Sequence, residues 1–389
     1  MKPGNLQRRK FLQYSFMGLA AFFGNTLIPS SLNASSLLLS LTGGKLLPPD
    51  QNGICLPAGF TSRIVARSGQ KISNYIWHAA PDGGATFATS DDGWIYVSNS
   101  ELNDGAGGVG ALRFNAQGEI IDAYSILTQT SRNCAGGHTP WQTWLSCEEI
   151  EQGRVWECDP WGQKAAQVRN MLGVFKHEAV AVDIHKKQLY LTEDEPDGCL
   201  YRYTAYSLNT LGNPELNDGV LESAEVIDRA TGKVRWHRLP DPVASNVATR
   251  KQIRKATTFK GGEGIWYQQG MIYFATKGDN RIWAYNVQES RLSIIYDAAS
   301  YRSPTLTGVD NITGNVAGEL LVAEDGGDMQ IVVLNHNKVI PLLQVMGHDQ
   351  SEIAGPAFSP DGSRLYFSSQ RGTTGRMEDG VTFEITGPF

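Results

Sequence analysis

The feature that most constrains the fold is a strand–turn–strand unit that recurs along the sequence. Each unit has an apolar run, a turn and a second apolar run, and most units end in one or more acidic residues. The units recur at intervals of roughly 45 to 60 residues, and further short strands follow them. Short antiparallel strands at such a period are typical of propeller blades. Six units can be counted, so the sequence predicts an all-β fold, a six-bladed β-propeller.

Two segments do not belong to the repeated pattern. An early strand at Phe60–Arg67 has no partner beside it in the sequence, and we expect it to pair with the last strand, Val381–Ile385. Such a pairing would close the ring and remove its open edges. A segment at about 206–260 is rich in asparagine, proline and charged residues. It is predicted to be an insertion in blade three, made of loops with a short helix near Val247–Lys255.

The N-terminus has the pattern of an export signal. Arg8 and Arg9 form a twin-arginine pair, and the apolar stretch Tyr14–Phe23 that follows is too short for a resident membrane span. The sequence therefore predicts a twin-arginine signal peptide at about residues 1–36, a linker at 37–58 and the propeller at 59–389. The expected partner is the twin-arginine export machinery, and the expected location is periplasmic or secreted.

Composition narrows the class of protein further. A chain of 389 residues with 41% hydrophobic residues can bury a large core, and a net charge of −6 argues against a nucleic-acid partner. An odd number of cysteines, five, leaves at least one without an intramolecular partner. Cys134 lies in a glycine-rich bend and is the candidate for a functional thiolate. Cys147 and Cys158 either pair or are small buried residues.

A propeller would bring many of the acidic residues together. The loop that enters each inner strand lies on the same face as the loop that leaves the second strand, so residues at these points converge on one mouth of the channel. The entering side has Cys134, Glu178, Glu263, Asp310 and Glu352. The leaving side has Glu101, Glu148, Glu149, Glu193, Asp194, Glu195, Glu324 and Asp325.

So many carboxylates in a partly desolvated channel repel one another unless cations lie among them. The pattern therefore predicts a site for several cations. Carboxylates alone suit calcium, magnesium or manganese, whereas a thiolate in the same cluster favours iron or zinc. The basic residues nearest the predicted rim, Lys277 and Arg371, are the candidates for contact with an anionic substrate.

Several of these motifs resemble those of a known family. NCAGGHTPWQTWLSCEE at 133–149, FKHEA at 175–179, TEDE at 192–195, GGEG at 261–264 and EIAGPAFSPDG at 352–362 resemble the PhoX alkaline phosphatases. The resemblance covers essentially the whole chain after the signal. It implies a six-bladed propeller that holds iron (Fe3+) and calcium in the channel mouth and hydrolyses phosphate monoesters. One departure is Gln142, where the TPWGTW form of the motif has glycine.

The resemblance also implies roles for particular residues. Cys134 would be the thiolate ligand to iron, and Glu149, Glu178 and Glu263 would be carboxylate ligands of the metals. Further candidate ligands are Glu148, Glu193, Glu195, Glu324, Asp325 and Glu352.

Two alternatives remain open from the sequence. A calcium-dependent lactonase or related hydrolase also fits a propeller with carboxylates at its channel mouth, and it would not need Cys134. A non-catalytic, metal-binding propeller would bind cations without turning over either class of substrate.

Overall fold

The computed structural model describes Leu37, Leu41 and residues 45–335 and 338–389. The predicted signal peptide, residues 1–36, lies outside the described residues. No helix within the described residues is long and apolar enough to cross a membrane.

Antiparallel strands make up most of the described chain. In the first part they are β1 (Ile54–Cys55), β2 (Thr61–Arg67), β3 (Lys71–Ile72), β4 (Tyr75–Ile76), β5 (Pro81–Ala88), β6 (Trp94–Ser100), β7 (Gly107–Phe114), β8 (Ile120–Thr130), β9 (Asn133–His138), β10 (Trp144–Glu148), β11 (Val155–Cys158) and β12 (Gln167–Val168).

The second part of the chain continues the same pattern. Its strands are β13 (His177–Asp183), β14 (Gln188–Glu193), β15 (Leu200–Ala205), β16 (Gly219–Asp228), β17 (Lys233–Arg238), β18 (Gly262–Gln268), β19 (Met271–Thr276), β20 (Arg281–Asn286), β21 (Arg291–Asp297), β22 (Val309–Gly314), β23 (Leu320–Glu324), β24 (Gln330–Asn335), β25 (Lys338–Val345), β26 (Ile353–Phe358), β27 (Arg364–Ser369) and β28 (Val381–Thr386). Short 3-10 helices lie at Asn170–Leu172, Thr249–Lys251, Lys277–Asp279, Ala298–Ser300 and Met377–Asp379.

The strands form meanders in which each strand pairs with the next along the chain. Strands β5 to β8 form one sheet and β9 to β12 another, while β1 extends the sheet of β22 to β25 and β2 extends that of β26 to β28. Strands β13 to β21 form one nine-stranded sheet. Within it, the strand pairing between the meanders β13–β17 and β18–β21 is limited, among the described residues, to Lys233 and Arg291. The fold is therefore all-β, with a propeller-like arrangement of sheets.

The first strand of each meander faces a common channel. Strand β5 contacts β9, β9 contacts β13, β13 contacts β18, β18 contacts β22, β22 contacts β26, and β26 contacts β5. A cavity of about 370 Å³ runs along these strands and is lined by residues from each of them. Apolar clusters fill the spaces between neighbouring meanders, as in the cluster of Leu145, Phe175, Val180 and Tyr201. Burial of these side chains from both sheets is what fixes the meanders against one another.

The closing strand lies where the sequence predicts it. Strand β2 pairs antiparallel with β28, with Thr61 opposite Thr386 and Arg67 opposite Val381. This pairing joins the start of the described chain to its end. Strand β1, which falls in the predicted linker, also pairs with a meander, because Ile54 lies opposite Val345.

The segment at 206–260 is more regular than a loop insertion. It contains β16 and β17, which are the fourth and fifth strands of their meander, so the prediction of loops with one short helix is wrong at these two strands. The predicted short helix corresponds to the 3-10 helix Thr249–Lys251. The remaining stretch packs back on the sheet, since Thr249 Oγ1 donates to the carbonyl of Val174 at 2.7 Å. These strands lie near the outer edge of the sheet, where polar residues alternate with apolar ones. The segment is therefore rich in asparagine, proline and charged residues, and its sequence pattern does not indicate strands.

Candidate metal centre

A bulge at the start of each inner strand determines what points into the channel mouth. In β13, His177 pairs with Glu193 and Val180 pairs with Leu191, so the two residues Glu178 and Ala179 lie opposite the single residue Thr192 and the register shifts at Glu178. An extra residue of this kind is left out of the ladder and its side chain is re-aimed.

The same shift recurs in every meander at the same level. The first extra residue is Asp82 in β5, Cys134 in β9, Glu178 in β13, Glu263 in β18 and Asp310 in β22. In β26 the shift falls at Gly355 and Pro356, and the acid nearby is Glu352, just before the strand. The repeated bulge therefore presents four carboxyl groups and one thiol at a single level of the channel.

Small residues follow Asp82, Cys134, Glu178 and Glu263 and allow the inner strands to approach closely. A β-carbon on Gly83 would lie 2.5 Å from the Cα of Ala135, and one on Gly264 would lie 2.6 Å from the Cα of Asn311. Neither position has room for a larger residue, so glycine is required by the approach of two backbones.

Nine side chains form a continuous acidic cluster at this mouth, which we call the channel-mouth cluster. It consists of four overlapping groups whose ligand-type atoms lie within 4.8 Å of one another: Asp82, Glu101 and Cys134; Cys134, Glu149 and Glu178; Glu178, Glu263 and Asp310; and Asp310, Asp325 and Glu352. Consecutive groups share Cys134, Glu178 or Asp310. The arrangement is one connected cluster, not four separate sites.

The structure brings together six of the ten side chains that the sequence singles out as ligands. They are Cys134, Glu149, Glu178, Glu263, Asp325 and Glu352. Glu101 and Asp310, which the sequence places on the rim, also belong to the cluster. Asp82 was missed, although the run PDGG at 81–84 repeats the pattern of one polar residue followed by small ones that is seen in NCAGG and GEG.

The other four acids lie outside the four groups and hold the backbone or the sheet edge. Glu148 accepts from the backbone N–H of Ser131 and from Trp156 Nε1, and Glu324 accepts from the backbone N–H groups of Thr307 and Gln330. These bonds satisfy carboxylates at strand ends. Glu148 and Glu324 therefore have hydrogen-bond partners within the protein.

Glu193 and Glu195 both contact the 3-10 helix Thr249–Lys251, through Arg250. Glu193 accepts from the hydroxyl of Tyr201 at 2.7 Å and from Arg250 Nη1 at 3.3 Å. Glu195 pairs with Lys176 at 3.2 Å and with Arg250 at 3.6 Å. These two acids therefore fasten the 240–260 segment to its meander.

Burial and mutual repulsion control the charge of the cluster. Burial, followed by the charges of neighbouring acids, raises the pKa of Asp82, Glu178, Glu263 and Glu352 well above the ordinary carboxyl range, and burial likewise raises the pKa of the Cys134 thiol. Burial raises the pKa of Glu149 to about 8 and that of Asp310 to about 7, although Arg132 and Lys277 act in the opposite direction.

Asp325 is the exception among these acids. Burial alone would raise its pKa, but the ammonium of Lys277, 2.5 Å away, outweighs burial and lowers it. The cluster as a whole favours protons or cations over bare negative charge.

Three basic side chains border the cluster. Arg132 Nη2 lies 2.5 Å from both Glu101 and Glu149. Lys277 Nζ lies near Asp325, and Arg371 Nη2 lies 3.2 Å from Glu352. Three positive charges do not balance eight carboxyl groups and a thiol, so the cluster has room for further positive charge.

The donor set fits metal ions. Oε1 of Glu263 is buried and has no hydrogen-bond partner in the described structure, although buried carboxylate oxygens are normally satisfied. Carboxylate oxygens are the ligands that hard cations prefer, and the single thiol adds a soft donor.

Comparison with known proteins identifies the family. The sequence model of the alkaline phosphatase PhoX family matches residues 97–157 and 151–295, more than half of the chain. The chain belongs to the PhoX family. It is therefore assigned to the alkaline phosphatases, and the resemblance of its motifs is confirmed. No curated protein matches the sequence at a significant level.

Solved structures support the fold of this PhoX-family chain. A Pseudomonas fluorescens PhoX, solved in complex with vanadate, aligns with a TM-score of 0.72 at 16% identity, over 88% of this chain and 97% of that one. A gluconolactonase from Xanthomonas campestris aligns with a TM-score of 0.50 at 14% identity, over 88% of this chain and 98% of that one. At these identities the likeness establishes a shared architecture.

Two details of this PhoX-family chain escape sequence reasoning. Gln370 is fully buried, and its Nε2 donates to Asp82 at 2.5 Å and to Glu101 at 2.6 Å, while its Oε1 accepts from Arg371 Nη1. Gln142, which replaces the glycine of the motif, has a φ of +65°, in the left-handed region that favours glycine. In the sequence, Gln370 looks like an ordinary residue at the end of a strand, and nothing around Gln142 indicates a left-handed conformation.

The cysteines outside the cluster are structural. Cys147 and Cys158 are both buried and free, so they are small core residues and not a disulfide.

Proposed function

We propose that the protein is a secreted, metal-dependent phosphatase that hydrolyses phosphate monoesters at a mixed iron and calcium cluster in the channel mouth. The observation that carries this proposal is the channel-mouth cluster itself, in which one thiol and eight carboxyl groups form a connected set. Family membership supports phosphatase activity, and the donor set supports the metals.

Cys134, Glu149 and Glu178 would hold iron, because the thiolate is the one soft donor among the ligands. The groups that follow, from Glu178 through Glu263 and Asp310 to Asp325 and Glu352, offer only oxygen and would hold calcium. When bound, such cations neutralise phosphate oxygens and lower the pKa of water, so that no nucleophilic serine is required.

Lys277 and Arg371 are the side chains that we propose to contact the phosphate. Lys277 is about a third exposed and lies beside Asp325, Glu263 and Asp310. Arg371 is held in place by the carbonyl of Gln350, which accepts from its Nε at 3.1 Å. A cation held in this way is already oriented when an anion arrives, which reduces the cost of ordering it.

The vanadate complex of the Pseudomonas relative supports the same reaction class. Vanadate is a transition-state analogue in that complex. The two structures align over 88% of this chain. We propose that a phosphate ester occupies the corresponding mouth here.

Two further parts of the proposal concern architecture and location. We propose that the meanders β13–β17 and β18–β21 are separate blades, because their strands pair at a single pair of described residues, which would make a six-bladed propeller. We also propose export by the twin-arginine route to the periplasm or beyond, on the strength of the Arg8–Arg9 pair.

The test is turnover of an aryl phosphate at alkaline pH, with and without a chelator. We expect chelation to abolish turnover and added calcium to restore at least part of it. Turnover indifferent to chelation contradicts the metal-dependent mechanism. Turnover of a lactone that survives Cys134→Ser, with no phosphatase activity in either protein, favours the lactonase alternative.

A further inference from the structure

Arg132 has an unusual place in the channel-mouth cluster. It lies two residues before Cys134, and its backbone φ is +47°, in the left-handed region that arginine seldom adopts. Two backbone bonds hold this conformation: the N–H of Arg132 donates to Leu102 at 2.7 Å, and the carbonyl of Arg132 accepts from Glu149 at 2.8 Å. Strained residues that the surroundings hold in this way concentrate at functional sites.

The guanidinium of Arg132 uses only one of its three nitrogens. Nη2 lies 2.5 Å from Oε1 of Glu101 and 2.5 Å from Oε2 of Glu149. An arginine that served only to pair with carboxylates would be expected to offer two parallel N–H groups to one of them. Here the single nitrogen Nη2 contacts both acids, and Nε and Nη1 contact neither of them.

The unused donors of Arg132 are of two kinds. Nε is buried and has no hydrogen-bond partner in the described structure. Nη1 also has no partner among the described residues and is not buried, in a side chain that is 38% exposed. Two N–H groups of Nη1 are thus available at the mouth, beside the Cys134 and Glu149 end of the cluster.

Arg371 provides a contrast at the same mouth. Its Nε donates to the carbonyl of Gln350, its Nη1 to Oε1 of Gln370 and its Nη2 to Glu352. All three nitrogens of Arg371 therefore have acceptors in the protein, and its side chain is 22% exposed. Arg132 has the larger unused capacity to donate.

We propose that Arg132 is a third substrate-contacting residue, whose Nη1 donates to an oxygen of the phosphate group while Nη2 holds Glu101 and Glu149. This inference rests on the proposed phosphatase function. It makes one side chain both a link between two carboxylates and a donor to the anion. Nothing in the sequence distinguishes Arg132, because a lone arginine before the NCAGG motif is most simply a solvated loop residue.

The test uses the metal-loaded protein and the variants Arg132→Lys and Arg132→Gly. Lysine keeps one positive charge for Glu101 and Glu149 but removes the Nη1 donors, and glycine accepts the φ of +47° without strain. The control is Arg63→Lys, a partly exposed arginine on β2 that pairs with Glu384. Each protein is measured for metal content, for affinity for inorganic phosphate by calorimetry, and for kcat and KM with an aryl phosphate.

We expect Arg132→Lys to keep its metal content while phosphate binds about 10- to 100-fold more weakly, as expected for the loss of a charge-assisted hydrogen bond. KM should rise accordingly, and free guanidinium should restore part of the phosphate affinity of Arg132→Gly. Arg63→Lys should match the wild type. Wild-type phosphate affinity in Arg132→Lys overturns the inference, and so does loss of metal from both Arg132 variants, because the arginine would then only hold the two acids.

Failure of this inference is distinguishable from failure of the proposed function. A wild-type protein that neither binds inorganic phosphate nor turns over an aryl phosphate refutes the proposed function. A wild-type protein that does both, beside an Arg132→Lys variant that does so equally well, refutes only the role of Arg132.

Discussion

The thiol of Cys134 donates a hydrogen bond to Oε1 of Glu178 at 3.3 Å, although 44 residues separate the two along the chain. Each is the first extra residue of a bulge, and the bulges lie on neighbouring inner strands. Their contact links the sulfur to the carboxylates of the next two meanders.

Metal content should depend on Cys134. If the thiolate and the acids form one mixed cluster, protein purified without added metal should contain both iron and calcium. A thiolate bound to ferric iron should give a visible absorption band, because sulfur donates electron density to an oxidised metal. Elemental analysis and absorption spectra of the wild type and Cys134→Ser check this. Calcium alone, with no colour in either protein, would rule out the iron assignment.

Acids inside and outside the cluster should respond differently to neutralisation. Glu178→Gln should reduce metal content and turnover, yet leave the metal-free protein as stable as before or more so, because a buried carboxyl whose pKa is raised by burial and by neighbouring acids costs folding free energy at neutral pH and a neutral amide does not.

The matched control for that experiment is Glu193→Gln, in which the carboxylate that accepts from Tyr201 and Arg250 is lost. It should lower the free energy of unfolding by about 1 to 3 kcal/mol while metal content is kept. Thermal unfolding and elemental analysis distinguish the two outcomes. If both variants lose metal to the same degree, the division of acids into cluster and structural groups is wrong.

Gln370 should act through the acids that it holds. Gln370→Met keeps the size of the side chain but removes its bonds to Asp82, Glu101 and Arg371. Loss of a group that orients metal ligands typically costs about 10- to 100-fold in metal affinity or activity. A titration with a competing chelator measures the effect. Gln268→Met, whose Nε2 donates only to the carbonyl of Asn315, is the control and should behave as wild type.

The metal-free protein should lose stability as the pH rises from about 5 to 8. Burial raises the pKa of Glu149 from 4.5 to about 8 and that of Asp310 from 3.8 to about 7, so between these values the folded protein binds more protons than the unfolded chain. The free energy of unfolding therefore falls with rising pH across this range, and the part of this loss that is due to Glu149 and Asp310 is complete above about pH 8. Asp325, whose pKa is lowered, acts only at more acidic pH.

Thermal unfolding at several pH values, after chelation, checks this pH dependence. Excess calcium should flatten it, because cations replace protons among the acids. A melting temperature that stays level or rises between pH 5 and 8 in the metal-free protein would contradict the assignment of these groups.

The sequence alone was enough for much of the architecture. Repeated apolar runs with turns between them specify antiparallel meanders, because alternation of side chains along a strand is a local property. The pairing of β2 with β28 was predictable because the strand near the start of the propeller has no neighbouring partner in the sequence, and the last strand of the chain has an open edge. Cys134, Glu178 and Glu263 were recognisable because each lies where the chain enters an inner strand.

The tertiary structure decided which acids share a site. Glu148 and Glu149 are neighbours in sequence, yet Glu149 faces Cys134 whereas Glu148 holds Ser131 and Trp156. Successive side chains at a strand end point in opposite directions, so only one of these two acids can face the channel, and which one does so depends on how the whole strand is placed in its sheet. Asp82 and Arg132 were missed for the same physical reason: their roles depend on where a bulge and a left-handed residue aim their side chains, and neither feature leaves a periodic trace in the sequence.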